Sequence, residues 1–254
     1  EIRELSEDYA SPPPSSKTAH SVPRPLLSNI LSKIRMRVVK HSSYKVVWST
    51  KNTGGDTTGG VDGRSAAVWA PRDLKVGVLR QNKIRLCIGH YASVAENGNS
   101  LEAPALGCLL EITDKTATRI NTNNHLVSAL QAYFPPPERF QLVWRQQGVD
   151  KNALHVWKPV PSSTRFVALG MIATKTSVPP PVSAVHCIPS QFVSLNEPSS
   201  QKIWQSKTED GRIGCLWVVG SLHLMLASVG SGSLSFGSGV DVLKTEIFMD
   251  SLQD

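Results

Sequence analysis

The strongest constraint on the fold is an internal repeat, which becomes visible when the tryptophans are aligned. The first copy reads, in order, YKVVW at 44–48, AVWAP at 67–71 and RLCIGHYA at 85–92. The second copy reads FQLVW at 140–144, HVWKP at 155–159 and RFVALGMIA at 165–173. A third copy begins with KIW at 202–204 and continues to CLW at 215–217. Because a repeated unit forms the same local structure each time, related β units are predicted along the chain.

The spacing of the tryptophans defines the two leading strands of each copy. The two tryptophans of a copy are 13 residues apart in the second copy (157 minus 144) and in the third (217 minus 204), and 21 apart in the first (69 minus 48). The additional residues of the first copy contain five glycines between positions 54 and 63, which predict a surface loop. After its second tryptophan the third copy no longer follows the pattern of the other two. We therefore predict two full copies and a degenerate third.

Each landmark has a structural explanation on a strand. Proline cannot donate a ladder hydrogen bond, so Trp-x-Pro marks Trp69 and Trp157 as core anchors near strand ends. Gly89 and Gly170 permit a bulge or a close backbone approach. With 18 glycines, 17 prolines and many short Val/Ile/Leu runs, the sequence indicates an all-β fold, either tandem β-sandwich or β-prism-like repeats.

The predicted organisation has four parts. Residues 1–40 are a linker followed by a basic amphipathic segment, 41–134 the first β repeat, 135–200 the second, and 201–254 the degenerate third with a tail. A short helix over 124–132 and the stiff triplet Pro135 to Pro137 are expected between the first two repeats. The Gly/Ser-rich stretch 228–239 is expected to be a loop or hairpin.

The basic segment is compatible with a short N-terminal helix. Its apolar residues recur at three- and four-residue steps, and they are Leu27, Ile30, Leu31, Ile34 and Val38. Its cations are Lys33, Arg35, Arg37 and Lys40. Such a segment is a candidate for binding an anionic membrane surface. A short helix or strand that caps the β core is the structural alternative.

The order Trp, Trp-x-Pro and aromatic-Val-Ala-Leu-Gly resembles the vacuolar protein sorting repeat, in the form of family member sixty-two. It is also similar to repeats in the C-terminal part of member thirteen, a bridge-like lipid transfer protein, especially in plants and protists. The resemblance covers roughly residues 44–219. The family often has Asp after the glycine, whereas His90 and Met171 stand there in this sequence, which puts any role of that acid in doubt.

The resemblance implies a recruitment role, because such repeats in lipid-transfer relatives bind adaptor proteins that carry Pro-x-Pro peptides. We expect a module that captures an extended, proline-containing peptide along a sheet edge or groove. If the groove contains an aromatic platform, the candidates are Trp48, Trp144 and Trp204; the alternative for each is a core position. The second functional hypothesis is a peripheral membrane-binding β module that uses the four cations named above.

Several classes of chemistry have no motif in the sequence. The seven histidines are dispersed, no Cys-x-x-Cys pair occurs, and neither a Gly-x-Ser-x-Gly elbow nor a phosphate-binding loop is found. We expect no enzyme activity, no metal and no cofactor. The net charge of +7 permits weak attraction to anionic polymers, but no nucleic-acid motif accompanies it, so no nucleic-acid partner is expected. Four scattered cysteines favour a reduced, cytoplasmic protein. The resemblance implies that it is peripheral to membranes or organelle contact sites.

Overall fold

The structure is a computed structural model that describes residues 30–50, 64–74, 82–95, 100–105, 107–116, 125–146, 153–194, 199–207, 211–230 and 242–243. The predicted linker over 1–24, the glycine-rich insertion at 54–63 and most of the Gly/Ser-rich stretch lie outside these residues. The regular secondary structure of the described part is mostly β-strand, in several small sheets with few helices, which confirms the all-β prediction.

Three antiparallel three-stranded sheets form the centre of the molecule, one from each copy of the repeat. The strands of the first sheet, in the order β2-β3-β5, are Tyr44–Ser49, Ser65–Pro71 and Tyr91–Ala95. Those of the second, β7-β8-β10, are Arg139–Gln146, Leu154–Val160 and Ile172–Thr174. Those of the third, β13-β14-β15, are Ser200–Lys207, Ile213–Val219 and Leu224–Val229. Each tryptophan landmark of the sequence therefore lies on a strand.

The three sheets share one irregularity at the same place. The register shifts between Val46 and Trp48, between Leu142 and Trp144, and between Lys202 and Trp204. In every copy the bulge is in the first strand and immediately precedes the tryptophan. A bulge turns the residues that follow it, and all three of these tryptophans are buried.

The third copy is complete, so the prediction of a degenerate copy was wrong in this respect. Strand β15 pairs with β14 just as the third strand does in the other two sheets. Ser228, which the sequence placed in a loop, is a residue of this strand. The copy was misjudged because Leu224 occupies the position of the landmark glycine.

The sheets close around one shared core instead of stacking as separate sandwiches. The first strand of each sheet contacts the third strand of the next: β2 contacts β10, β7 contacts β15, and β13 contacts β5. One cluster of buried residues includes members of all three sheets, among them Val68, Val156 and Leu216. Of the two predicted architectures, this arrangement corresponds to the β-prism.

A fourth sheet packs outside the first copy, in the order β1-β6-β4, with strands Ile34–Lys40, Cys108–Asp114 and Lys83–Leu86. Helix α1, His125–Tyr133, contacts β1 and β6, which confirms the short helix predicted between the repeats. The described residues also form two small pairs: β9 (Phe166–Val167) with β11 (Ile188–Pro189), and β12 (Val193–Ser194) with β16 (Val242–Leu243).

The N-terminal basic segment is not a helix over its whole length. Residues 30–33 are helical, but residues 34–40 form strand β1. Apolar and basic side chains alternate along this strand, so that Ile34, Met36 and Val38 join the core beneath the fourth sheet. The helix prediction was wrong here because a period of two was read as a period of three to four; the alternative of a capping strand is the one observed.

Candidate functional site

The three tryptophans proposed as a peptide platform lie at the centre of the prism. The ring centroids of Trp48 and Trp204 are 5.3 Å apart, and those of Trp144 and Trp204 are 5.7 Å apart. Trp48, Trp144 and Trp204 are only 1%, 1% and 2% exposed. A peptide on the surface does not reach these rings, so their assignment as a binding platform is corrected to a core role.

The second tryptophan of each copy makes a hydrogen bond across its own sheet. The indole Nε1 donates from Trp69 to Ser93 Oγ (2.8 Å), from Trp157 to Thr174 Oγ1 (2.8 Å) and from Trp217 to Ser228 Oγ (3.0 Å). In each case the acceptor lies two residues beyond the cross-strand neighbour of the tryptophan. The same hydroxyl position therefore satisfies the buried indole in all three copies.

A closed ring of backbone hydrogen bonds joins the three copies at their common axis. The N–H of His90 donates to the carbonyl of Met171 (2.9 Å), that of Met171 to Met225 (3.0 Å), and that of Met225 back to His90 (2.9 Å). These residues occupy the same position in the three copies, immediately before the third strand or at its start. We call this set the axial ring.

The landmark glycines lie beside the axial ring, where the backbones approach closely. A Cβ added to Gly89 would lie 2.8 Å from the Cα of Gly170, and one added to Gly170 would lie 2.9 Å from the Cα of Gly89. The third copy has Leu224 at this position, and its side chain reaches 3.2 Å from the added Cβ of Gly89. Two glycines and one leucine thus fill a space that has no room for three side chains.

His90 is a structural residue of this axis. Its Nδ1 accepts a hydrogen bond from the N–H of Ala173 at 3.1 Å, which requires the neutral ring. Burial, with a smaller effect from the charge of Lys45, lowers the pKa of His90 to about 3. Met171 makes the corresponding contact one copy later, where its Sδ accepts from the N–H of Ala227 at 3.3 Å.

The outward face of the fourth sheet is basic. Cross-strand neighbours form two rows on this face, one of Arg35, Thr113 and Lys83 and the next of Arg37, Glu111 and Arg85. Four cations from the two outer strands therefore surround one carboxylate on the central strand. We call these four cations and Glu111 the basic face.

Glu111 is the centre of the basic face. Its side chain is only 1% exposed, whereas those of Arg37, Lys83 and Arg85 are 33%, 21% and 34% exposed. Arg37 donates to Oε1 through Nε (2.9 Å) and Nη2 (2.7 Å), and Arg85 Nε donates to Oε2 at 3.1 Å. Lys83 Nζ lies 3.4 Å from Oε1. One buried carboxylate thus orients three partly exposed cations.

The ionisation of Glu111 follows from these contacts. Burial acts to raise its pKa, but the hydrogen bonds from Arg37 and Arg85 and the charge of Lys83 outweigh burial and hold the pKa below its ordinary value. The carboxylate is therefore charged at neutral pH. The three cations that contact it, less this one anion, leave a charge of +2 (3 minus 1) at one small area of the sheet.

Comparison with known proteins places the chain in a family. The sequence profile of vacuolar protein sorting-associated protein 62 matches residues 26–218, which is well over half of the 254 residues. The chain belongs to this family. No curated protein matches the sequence. Among solved structures, the chain is similar to the crystal structure of GNIP1Aa from Chromobacterium piscinae at 13% identity and a TM-score of 0.48; the match covers 76% of this chain and 32% of that one.

Membership of the vacuolar protein sorting-associated protein 62 family confirms the predicted resemblance and relates the chain to vacuolar protein sorting. The matched range includes the first two copies and the two tryptophans of the third. It ends before strand β15. This chain has His90 and Met171 at the positions where the family often has Asp. Both side chains have a structural role at the axis, because each accepts a hydrogen bond from a backbone N–H of the next copy.

Only part of the basic face of this family member was predicted from the sequence. Arg35 and Arg37 lie on it, but Lys40 alternates to the other side of β1 and Lys33 precedes the strand. Lys83 and Arg85 were not predicted because they are distant along the chain. Their signal was present, however, since the KIRL of β4 repeats the cation-apolar alternation of RMRV in β1.

Other candidate chemistry finds no assembled site in the described part of the chain. No group of three or more His, Cys, Asp and Glu residues there is arranged to hold a metal ion. The four cysteines are free, and Cys87, Cys187 and Cys215 are buried. Burial raises the pKa of the Cys187 thiol to about 12 and that of Cys87 to about 11. Within the described residues, no helix is long and apolar enough to cross a membrane.

Proposed function

We propose that this chain is a non-catalytic binding module that recruits a larger vacuolar-sorting or lipid-transfer protein to membranes. It acts in the cytoplasm, at membrane surfaces or organelle contact sites, and binds an extended, proline-containing peptide of an adaptor protein. The family assignment supports the sorting context. The observation that carries the peptide proposal is strand β1, which is an edge strand among the described residues and whose outer side has the geometry for an added strand.

The ladder between β1 and β6 defines which backbone groups of β1 face outward. The N–H of Lys115 donates to the carbonyl of Lys33, and the N–H of His41 donates to the carbonyl of Gly107. In an antiparallel pair such bonds involve alternate residues, so the odd-numbered residues of β1 face β6. The N–H and C=O groups of Met36 and Val38 therefore point to the outer edge.

A Pro-x-Pro peptide fits an edge of this kind. Only alternate residues of an added strand bond to the sheet, and proline lacks an N–H, so its place is on the side that faces away from the ladder. Prolines two residues apart both point away, while the N–H and C=O of the residue between them face the edge. Extended proline-containing peptides also lose little conformational entropy when they bind.

Substitution of Val38 tests the peptide proposal. Val38→Pro removes one outward N–H and retains an apolar side chain, whereas Val38→Ala removes the side-chain contacts and retains the N–H. We expect Val38→Pro to weaken binding to a Pro-x-Pro peptide by about three- to tenfold relative to Val38→Ala, the worth of one hydrogen bond. A peptide array, followed by fluorescence anisotropy, provides the measurement.

Two results would contradict the peptide proposal. One is that no Pro-x-Pro peptide binds above background while circular dichroism shows a folded protein. The other is that Val38→Pro binds as tightly as the wild type. In that case the peptide does not use the edge of β1.

The basic face favours a second candidate function, binding to anionic membranes. Its prediction is sedimentation with vesicles that contain phosphatidylserine at low salt, and weaker binding as salt is added. Arg35→Gln with Lys83→Gln should reduce this binding, whereas Lys158→Gln with Lys175→Gln, the same charge change at exposed positions far along the chain, should not. Absence of binding at low salt would remove this candidate.

A further inference from the structure

The cations that contact Glu111 differ from a diffuse basic surface in their arrangement. A flexible lysine on a surface samples many positions, but Arg37 and Arg85 are both anchored through Nε to a carboxylate that is almost completely buried. Each guanidinium has further N–H groups beyond those that bond Glu111. Anchoring in advance lowers the entropy that a ligand must overcome, so these groups are suited to a defined ligand.

The charge of the cluster indicates the class of ligand. Three cations and one carboxylate leave +2 within reach of a single group. A phosphate monoester carries about −1.5 to −2 at neutral pH and offers three strong acceptor oxygens. A lipid phosphodiester carries only one negative charge, and its match to this cluster is correspondingly poorer. Arginine is also the residue best suited to bidentate contact with phosphate.

The charges around the cluster indicate that the phosphate belongs to a membrane lipid. Arg35 lies beside Lys83 in the adjacent row of the same sheet face, so it widens the positive area beyond the three cations that contact Glu111. A widened basic area is what a membrane surface rich in anionic lipid attracts. We propose that Arg37, Lys83 and Arg85, held by the buried Glu111, form a binding site for a lipid headgroup that carries a phosphate monoester, such as a phosphorylated inositol lipid.

This inference rests on the second candidate function and adds the class of headgroup. Two kinds of vesicle test it: one contains phosphatidylserine, the other an inositol lipid with one phosphate monoester, and both have the same total surface charge. We expect the whole protein to bind the monoester vesicles on the order of tenfold more tightly, the worth of about one charge-assisted hydrogen bond. Soluble inositol phosphate should compete, and inorganic phosphate should compete less.

Variants assign the preference to the cluster. Lys83→Gln and Arg85→Gln should each bring the ratio of the two affinities close to one, whereas Lys158→Gln on the distant strand β8 should leave the ratio unchanged. Glu111→Gln tests whether binding depends on the anchoring of the cations by Glu111 or only on their total charge. It makes the face more positive, so simple attraction predicts tighter binding, but loss of the anchor predicts a lower ratio. Circular dichroism shows whether each variant is folded, and Lys83→Gln and Arg85→Gln remain informative if Glu111→Gln is not.

The outcomes separate this inference from the function on which it rests. Equal binding to the two charge-matched vesicles would refute the headgroup site and leave membrane binding intact. Binding to neither would refute both. A ratio that Lys83→Gln and Arg85→Gln do not change, or that Glu111→Gln increases, would place the headgroup elsewhere and overturn the assignment.

Discussion

The hydrogen bonds of the buried tryptophans give a sharp test of the core. Trp157 donates its Nε1 to Thr174 Oγ1, whereas the Nε1 of Trp204 has no hydrogen-bond partner among the described residues. Both side chains are buried, at 4% and 2% exposure. The same substitution, Trp to Phe, should therefore have very different effects at the two positions.

The magnitudes follow from what each substitution removes. Loss of two buried ring carbons costs about 1.6 kcal/mol at either position, at roughly 0.8 kcal/mol per buried group. At Trp157 the lost hydrogen bond adds about 0.5–1.5 kcal/mol, so that the free energy of unfolding falls by about 2–3 kcal/mol. At Trp204 the removal of a buried N–H without a partner offsets the loss by about 1–3 kcal/mol, which leaves Trp204→Phe between about 0.6 kcal/mol less stable and about 1.4 kcal/mol more stable than the wild type.

Urea unfolding followed by far-ultraviolet circular dichroism measures both values, because the peptide groups of the sheets dominate this signal and the change in free energy is obtained from the midpoint and slope of the transition. Trp157→Phe is expected to be the less stable of the two variants, and the size of each change in the free energy of unfolding is part of the test. If Trp204→Phe destabilises the protein as much as Trp157→Phe does, the indole of Trp204 has a partner and the assignment of an unsatisfied N–H is refuted.

Three other changes are expected to be diagnostic. Gly214→Ala places a Cβ 2.2 Å from Cε2 of Trp144, and the forced shift should lower the free energy of unfolding by about 1–3 kcal/mol in urea titration; an unchanged midpoint would contradict the packing. The pKa of Glu111 is lowered in the folded protein, so its contribution to stability is present above about pH 4.3 and is lost as the pH falls through the folded-state pKa. Glu111→Gln should therefore flatten the decline of Tm below about pH 5. If the Tm of the variant declines in parallel with that of the wild type, the ion pairs of Glu111 contribute nothing to stability. Burial lowers the pKa of His90 in the folded protein to about 3, so the unfolded chain takes up this proton at a higher pH than the folded chain does. The free energy of unfolding should therefore decline below about pH 6.5, by up to about 1.4 kcal/mol per pH unit. His90→Met should remove this decline in the same scans, and its persistence would assign it to another group.

The tryptophan repeat predicted the strands because the signal is local. Trp-x-Pro and the alternating runs around it depend only on neighbouring residues, and all six tryptophans lie on the strands that the landmarks indicated. The close approach predicted for the glycines is present between Gly89 and Gly170. These features need no knowledge of what lies across the core.

The arrangement of the strands could not be predicted in the same way. The axial ring joins His90, Met171 and Met225 through backbone groups, which no side-chain pattern reports. The prediction that Trp48 lies on an accessible platform failed for a related reason. Alternation along a strand shows that two faces differ, but only the closure of three sheets decides which face is enclosed.

The candidate site, the basic face, could be predicted from the sequence only in part. Arg35 and Arg37 were found from their density in one segment, yet a helical period was assigned to a strand of alternating residues. Lys83 and Arg85 reach the same carboxylate only because β4 and β1 pair with opposite edges of β6. Which strands flank a third is a long-range property, so single-sequence analysis named half of these cations.

The axial ring ties the first copy to the end of the third, so the fold is not complete on the ribosome until translation has passed residue 229. A gene fragment that stops where the family profile ends, at residue 218, would lack Met225 and the whole of β15. It would leave the N–H of Met171 and the carbonyl of His90 without partners and the contact surface of β7 uncovered. Expression boundaries for this protein should therefore follow the ring and not the profile.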